Sequence, residues 1–281
     1  MHVALLGARR LMLAATSLLL ISCQPITLPI DRSHTSLNQD SRIQSVIVHY
    51  TQIDDAQSLD ELTRPESQVS AHYLLSREER DGQPVVYALV PESQRAWHAG
   101  VSHWQGAQAL NASSIGIEIV NLGYADTDAQ LPLTERHWQA YTPAQIRTLA
   151  LLLQQLVDRY QLPPTRLLAH SDIAPGRKVD PGPLFPWRHL HEHYGLGAWP
   201  DEARVSALLA VPGPMPSISE IQNLLLRYGY GLAATGVLDT QTRQTLQAFQ
   251  LHFRPARYDG LPDRETVARL QALLEKYPPG N

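Results

Sequence analysis

The sequence predicts an α/β domain, a central mixed β-sheet flanked by helices, followed by a small three-helix all-α domain. Three observations carry this prediction. Continuous β-branched runs at Ser45–Tyr50 and Ile115–Val120 read as buried strands. A capped helix with one apolar stripe follows at Thr142–Tyr160. A Pro-rich seam, Val211-Pro-Gly-Pro-Met-Pro216, then precedes about sixty residues in which only helical spacing recurs.

Taken in order, the chain opens on a targeting pattern. Arg9 and Arg10 form a positive region, Leu11 to Ile21 an apolar core too short to span a bilayer comfortably, and small residues follow. Leu20-Ile21-Ser22-Cys23 resembles the bacterial lipobox, in which the cysteine becomes the lipidated first residue. Residues 1–22 are therefore expected to be a lipoprotein signal peptide and Cys23 the lipidation site. Multiple acyl chains on one cysteine would anchor stably where one would be marginal. Gln24 in place of Asp resembles outer-membrane sorting in Gram-negative lipoproteins, so an outer membrane lipoprotein facing the periplasm is expected. Residues 23–42, rich in Pro, Ser, Asn and Gln, read as a tether.

The first strand, Ser45–Tyr50, carries His49 near its C-terminal end, where open α/β sheets place their chemistry. Residues 54 to 76 are polar and helix-compatible, then alternate as a strand from Val69. Asp81-Gly82 is a turn signal before Gln83–Val90, so 70 to 90 reads as a hairpin. Aromatic loops at 96–104 lead to Ile115–Val120, whose central Glu118 is out of place among apolar residues unless it has a partner or a task. Thr142, Pro143 and Gln145 make a capping box with proline at the first helical position. Ile146, Leu149, Leu153, Leu156, Val157 and Tyr160 mark the apolar face, and Pro163-Pro164 ends the helix. Arg166–His170 is predicted as another strand. The boundaries drawn are 43–200 for a catalytic domain, 201–216 for a linker and 217–277 for a three-helix domain, with caps at Ser217/Glu220, Asp239 and Asp263. That last domain is long enough to fold on its own, though marginally.

Composition narrows the function. With 23 basic and 27 acidic residues, the net charge of −4 gives no basic field, so no nucleic-acid partner is expected. One cysteine excludes an intramolecular disulfide and a Cys-rich zinc ribbon, so a metal must rely on histidine and carboxylate. Hydrolytic zinc takes three such ligands and keeps a fourth position open. His49, His170 and Asp180 meet that requirement, each on or just past a predicted strand end. The Pro/Gly-shaped segment His170 to Pro183 brings Lys178 beside them, where it can reach toward a substrate.

Five ordered motifs then carry a resemblance: Val48-His49-Tyr50-Thr51, Val69-Ser-Ala-His72-Tyr73, Ala96-Trp-His-Ala-Gly100, Ser114-Ile-Gly-Ile-Glu118-Ile-Val-Asn121 and Ala169-His170-Ser-Asp172-Ile-Ala-Pro-Gly-Arg-Lys178-Val-Asp180-Pro-Gly182. Over about residues 42 to 195 the chain resembles the zinc N-acetylmuramoyl-L-alanine amidases, a family that includes the animal peptidoglycan-recognition proteins. With the lipobox, it is most similar to their outer-membrane lipoprotein members. The resemblance implies one Zn²⁺ on His49, His170 and Asp180, Glu118 as general base, and Lys178 steadying the oxyanion. The bond cut would join N-acetylmuramic acid to the L-alanine of the stem peptide, in peptidoglycan or in muropeptides. Thr51 and Asn121 lie in the same motifs and are candidates for substrate binding. His72 and His98 either line the cleft or make structural hydrogen bonds. Trp97 and Trp104 either stack on sugar or cover the core, and Arg177 either meets a stem-peptide carboxylate or faces solvent. His189, His191 and His193 resemble a metal tract but are read as surface residues without the two-histidine helical spacing of zincins.

The C-terminal helices resemble the peptidoglycan-binding domain of cell-wall hydrolases, through Ile221-Gln222, Leu225, Gly229-Tyr230, Thr235-Gly236, Asp239, Thr242, Phe249-Gln250, Asp259-Gly260 and Asp263. A monomer is expected. The competing readings are a receptor that binds peptidoglycan without cleaving it and a wall-anchoring lipoprotein. The intact ligand set and Glu118 argue against both.

Overall fold

The structure, a computed structural model, describes residues 28–279. The signal peptide expected at 1–22, Cys23 and the first part of the tether lie outside the described residues. Residues 28–40 form neither helix nor strand. Their local order is limited to short turns, such as the Ser33 amide donating to Asp31 Oδ1 at 2.8 Å.

From Ser41 onward the described residues form one compact unit. Its elements in order are β1 (Ser45–Tyr50), α1 (Asp55–Thr63), β2 (Tyr73–Arg80), β3 (Gln83–Ala88), β4 (His103–Trp104), β5 (Ala107–Gln108) and β6 (Ser114–Ile119). There follow α2 (Pro143–Tyr160), β7 (Leu167–Ala169), α3 (His170–Ile173), α4 (Trp187–Tyr194), α5 (Glu202–Ala210), α6 (Ile218–Tyr228), α7 (Thr240–Phe253) and α8 (Arg264–Lys276).

The main sheet is mixed, in the order β3-β2-β6-β1-β7. Only the β2/β3 hairpin is antiparallel, and Asp81 and Gly82 at its turn have φ of 53° and 77°, the left-handed pair that a two-residue hairpin requires. The neighbours β6, β1 and β7 run parallel, so their C-terminal ends open on one edge. In this register His49 stands opposite Glu118. The buried side chains Val46, Ile47, Val48, Ile115, Ile117 and Leu168 make the sheet's interior.

Helix α2 begins as its sequence requires: Thr142 Oγ1 accepts from the Gln145 amide at 3.1 Å, and Gln145 Oε1 accepts from the Thr142 amide at 3.1 Å. The same Gln145 donates to the carbonyls of Ser76 and Val120, which ties the helix start to β2 and the end of β6. Leu149, Leu153 and Leu156 are fully buried against the sheet.

Two expectations change. The stretch expected as linker, 201–216, contains α5, whose N-cap Asp201 accepts from Ala203 and Arg204. Val205 packs on Ala268 and Ala272 of α8, and Arg204 makes a bidentate pair with Glu275, so α5 is a fourth helix of the C-terminal bundle. The seam is confined to the Pro-rich residues after it. The C-terminal helices are also not a separate body. Their core residues Leu225, Leu246, Phe249 and Leu270 belong to the same apolar cluster as the sheet. Trp104, fully buried, meets Tyr228 and Tyr230 edge-on, which answers its two readings in favour of the core.

Candidate active site

Strand ends build the site. His49 comes from β1, Glu118 from β6, and His170 is the first residue after β7, which ends at Ala169, one position short of the end predicted for that strand. The loop from Ala174 to Gly182 supplies Asp180. That loop is pinned by the Ser171 amide donating to the Asp180 carbonyl at 3.0 Å and by the buried Tyr141 hydroxyl donating to the Pro181 carbonyl at 2.8 Å. Position is thus fixed by hydrogen bonds to the carbonyls of Asp180 and Pro181.

Three atoms converge. His49 Nδ1 and His170 Nδ1 are 2.8 Å apart, and each is 3.0 Å from Asp180 Oδ2. All three residues are buried, at 1 %, 2 % and 6 % exposure, and they are the one group of three or more metal-ligating residues that gathers among the described residues. Burial, with the neighbouring His170, lowers the His49 pKa to about 4, so its imidazole is neutral at pH 7. Two imidazoles and a carboxylate are a zinc donor set. Tetrahedral bonds of about 2.0–2.2 Å separate ligand atoms by about 3.3–3.6 Å, so the three need part by only about half an ångström. The residues present fit the metal.

Glu118 stands beside them, its Oε1 4.0 Å from His49 Nδ1. Its Oε2 is buried and has no hydrogen-bond partner among the described residues. Burial, reinforced by Asp180 and opposed by Lys178, raises its pKa well above the ordinary value. An unpartnered carboxylate oxygen with raised basicity, next to a metal-ligand cluster, is suited to moving a proton.

The cluster opens into a cleft of about 310 Å³, lined by Thr51, Trp97, His98, Glu118, Arg177 and Lys178 among others. Lys178 is exposed at its mouth. Trp97, 51 % exposed, lines the cleft as well. Thr51 donates to the Ile53 carbonyl at 2.9 Å and keeps its oxygen free to accept.

The family model described as N-acetylmuramoyl-L-alanine amidase matches residues 39–183, and one described as putative peptidoglycan binding domain matches residues 214–270. The N-acetylmuramoyl-L-alanine amidase AmiD of Escherichia coli is 43% identical over 240 residues, covering 84% of each chain. The chain belongs to the N-acetylmuramoyl-L-alanine amidase family. Its fold superposes on E. coli AmiD in complex with anhydro-N-acetylmuramic acid-L-Ala-D-γ-Glu-L-Lys with a TM-score of 0.80, at 41% identity over 89% of this chain and 96% of that one. AmpDh3 of Pseudomonas aeruginosa, solved with an anhydromuramic pentapeptide, gives 0.78 at 38% identity, over 90% of this chain and 99% of the other.

Within this amidase fold, some candidates for substrate contact turn inward. His72 is fully buried; its Nδ1 accepts from the Gly116 amide at 3.0 Å and its Nε2 donates to the Gln94 carbonyl at 3.2 Å. Asn121, 1 % exposed, donates to the Gln139 carbonyl and accepts from the Gly123 amide. With both polar ends of each side chain spent inside the protein, neither reaches a ligand. Arg177 lines the cleft but gives its Nη2 hydrogens to the carbonyls of Ala99 and Val101. His189 and His193 do stand one helical turn apart on α4, with ring centroids 4.1 Å apart, which corrects the expected spacing. No third ligand joins them among the described residues. Tyr50 and Tyr124, absent from the sequence-based candidates, also line the cleft, and only their nearness in the fold identifies them.

Proposed function

We propose that this chain hydrolyses the amide bond between N-acetylmuramic acid and the L-alanine of the stem peptide, with one zinc ion on His49, His170 and Asp180. The observation that carries the reading is the convergence of three buried ligand atoms beside the unpartnered Oε2 of Glu118, in a chain of the amidase family. Zinc, when bound, supplies Lewis acidity toward the scissile carbonyl and makes water more acidic. Glu118 accepts the proton of the attacking water and returns it to the departing amine, so amide and water become a lactyl carboxylate and a free L-alanine amino group. Lys178 places its ammonium where negative charge develops on the carbonyl oxygen. Trp97 offers an apolar face to sugar and Thr51 an acceptor. Arg177 fixes the cleft wall.

Residues 217–277 hold the enzyme to the wall. Lipid on Cys23 anchors the chain in the outer membrane, with the catalytic domain in the periplasm and residues 23–42 as tether. The protein acts as a monomer. Labelling with a radioactive fatty acid should mark the wild type and not Cys23→Ala, and the variant should fractionate as soluble.

The decisive experiment incubates purified protein with muropeptides, with and without a chelator, and analyses the products by mass spectrometry. Release of free stem peptide that stops on chelation and returns with zinc is expected. Binding without cleavage by the zinc-replete protein would instead make it a receptor.

A further inference from the structure

Both histidines of the cluster present Nδ1 to the metal position, and an imidazole does this only as the Nε2–H tautomer. From the hydrogen bonds around them, we infer that the loop Ala96–Gly100 sets that tautomer in both: His98, held by Ser114, does so for His49, and the carbonyl of Ala99 does so for His170. His98 and Ser114 are thus positioning residues for the metal ligands. This rests on the zinc-site reading and goes beyond it.

The chain of donors has one solution for His49. The Ser114 hydroxyl lies 2.6 Å from the Leu110 carbonyl, which cannot donate, so the hydroxyl hydrogen is spent there. Ser114 Oγ can then only accept from His98 Nε2 at 3.3 Å, so His98 carries its hydrogen on Nε2. His98 Nδ1 is left as an acceptor, 3.0 Å from His49 Nε2. His49 must therefore carry its hydrogen on Nε2 and leave Nδ1 bare, facing Asp180 and His170.

For His170 the argument is shorter. Its Nε2 is 3.2 Å from the Ala99 carbonyl and 3.2 Å from Arg177 Nη2. Both hydrogens of that Nη2 go to carbonyls, Ala99 at 2.6 Å and Val101 at 2.8 Å. Among the described residues nothing donates to His170 Nε2, so it donates to Ala99. The loop itself is fixed from behind by Asn111, whose Oδ1 accepts the amides of His98 at 3.1 Å and Ala99 at 2.7 Å. Space is reserved for it as well: a Cβ on Gly116 would lie 2.3 Å from the His98 ring. A histidine and a carbonyl, adjacent in sequence, thus hold the far nitrogens of two ligands that stand 121 residues apart.

The test starts from the metal-free wild type. Long-range ¹H–¹⁵N correlation at neutral pH should show His49, His98 and His170 each with a bare Nδ1 and a protonated Nε2. A protonated Nδ1 on His49 overturns the inference, whatever the enzyme's activity. Zinc affinity is then measured by competition with a chromogenic chelator. His98→Leu removes the acceptor and should weaken zinc binding about 10- to 100-fold. His98→Asn, whose amide oxygen falls near the place of Nδ1, should restore it to within a few-fold of wild type. Ser114→Ala should shift affinity in the same direction as His98→Leu, by less. A folded His98→Leu protein that binds zinc as tightly as wild type overturns the inference, as does a folded Asn variant no better than Leu. If His98→Leu does not fold, the wild-type spectrum decides. Because neither readout is turnover, a protein that failed to cleave muropeptides would still answer this question.

Discussion

Asp180 and Asp172 lie on one short stretch of chain, both buried, both beside histidine, yet they are different chemical objects. On the tautomers inferred above, Asp180 faces two imidazole nitrogens that each bring a lone pair, and the three ligand atoms lie close together. Asp172 faces donors only: the Tyr230 hydroxyl at 2.6 Å, His252 Nδ1 at 2.6 Å and the Ala169 amide at 2.8 Å. His252 is stacked between Trp187 and Phe253, at centroid distances of 4.0 Å and 3.9 Å. Burial and residue type are shared by the two sites, so neither identifies a metal centre. The direction of hydrogens and lone pairs does. On this reading one cluster suits a cation, whereas the other gives its carboxylate three donors in a polar seam joining the C-terminal helices to α3, with His252 Nε2 left without a partner among the described residues.

The largest effect should come from the site proposed to hold zinc. Asp180→Ala should lose bound zinc and lower muropeptide hydrolysis on the order of 10³-fold or more, since several kcal/mol of transition-state stabilisation go with the metal. Metal analysis alongside initial rates checks this, and full zinc occupancy in the variant would remove Asp180 from the ligand set. Glu118→Gln separates proton transfer from ligation: zinc content should stay at the wild-type level while kcat falls about 10²- to 10⁴-fold. Unchanged kcat would end its role as base.

Asp172 should respond in the opposite sense. Replacing it by Ala leaves the Tyr230 hydroxyl, the His252 ring and the Ala169 amide without their acceptor, a loss of about 3–5 kcal/mol in denaturant unfolding. The folded fraction should still bind zinc, and zinc at a hundredfold excess over its Kd should still stabilise the protein by about 2.7 kcal/mol. In Asp180→Ala that zinc-dependent gain should vanish. A variant at Asp172 that folds normally but cannot bind zinc would merge the two sites and break the distinction drawn between them.

The two clusters also differ in how far the sequence reveals them. His49 was legible as a polar residue near the end of a β-branched run, Glu118 as one inside such a run, and His170 and Asp180 through the Pro/Gly-shaped segment, and the family motifs mark the same positions. The caps of α2 and α6 were legible for a related reason: Thr142/Gln145 and Ser217/Glu220 are local, and their partners lie three residues away. Asp172 was not, since its partners lie 58 and 80 residues further along the chain, in a domain read as separate. The same blindness to long-range partners made His72 and Asn121 look available for substrate. Helix α5 escaped notice because the Pro-rich run after it dominated the local pattern, although Asp201 is a good cap.

The smallest change that still discriminates is Tyr230→Phe. It removes one hydroxyl from the seam, keeps the ring that packs edge-on against Trp104 at 5.0 Å, and leaves Asp172 with the His252 and Ala169 donors. The expected cost is about 1–2 kcal/mol, the value of one hydrogen bond lost in a buried setting. Zinc affinity and kcat should remain within a factor of two or three, because the His170 side chain is held by Ala99 and not by the seam. Chemical denaturation read against chelator competition makes the comparison directly. If the stability loss appears together with a tenfold weaker zinc site, the C-terminal helices position the metal loop, and the seam belongs to the active site after all.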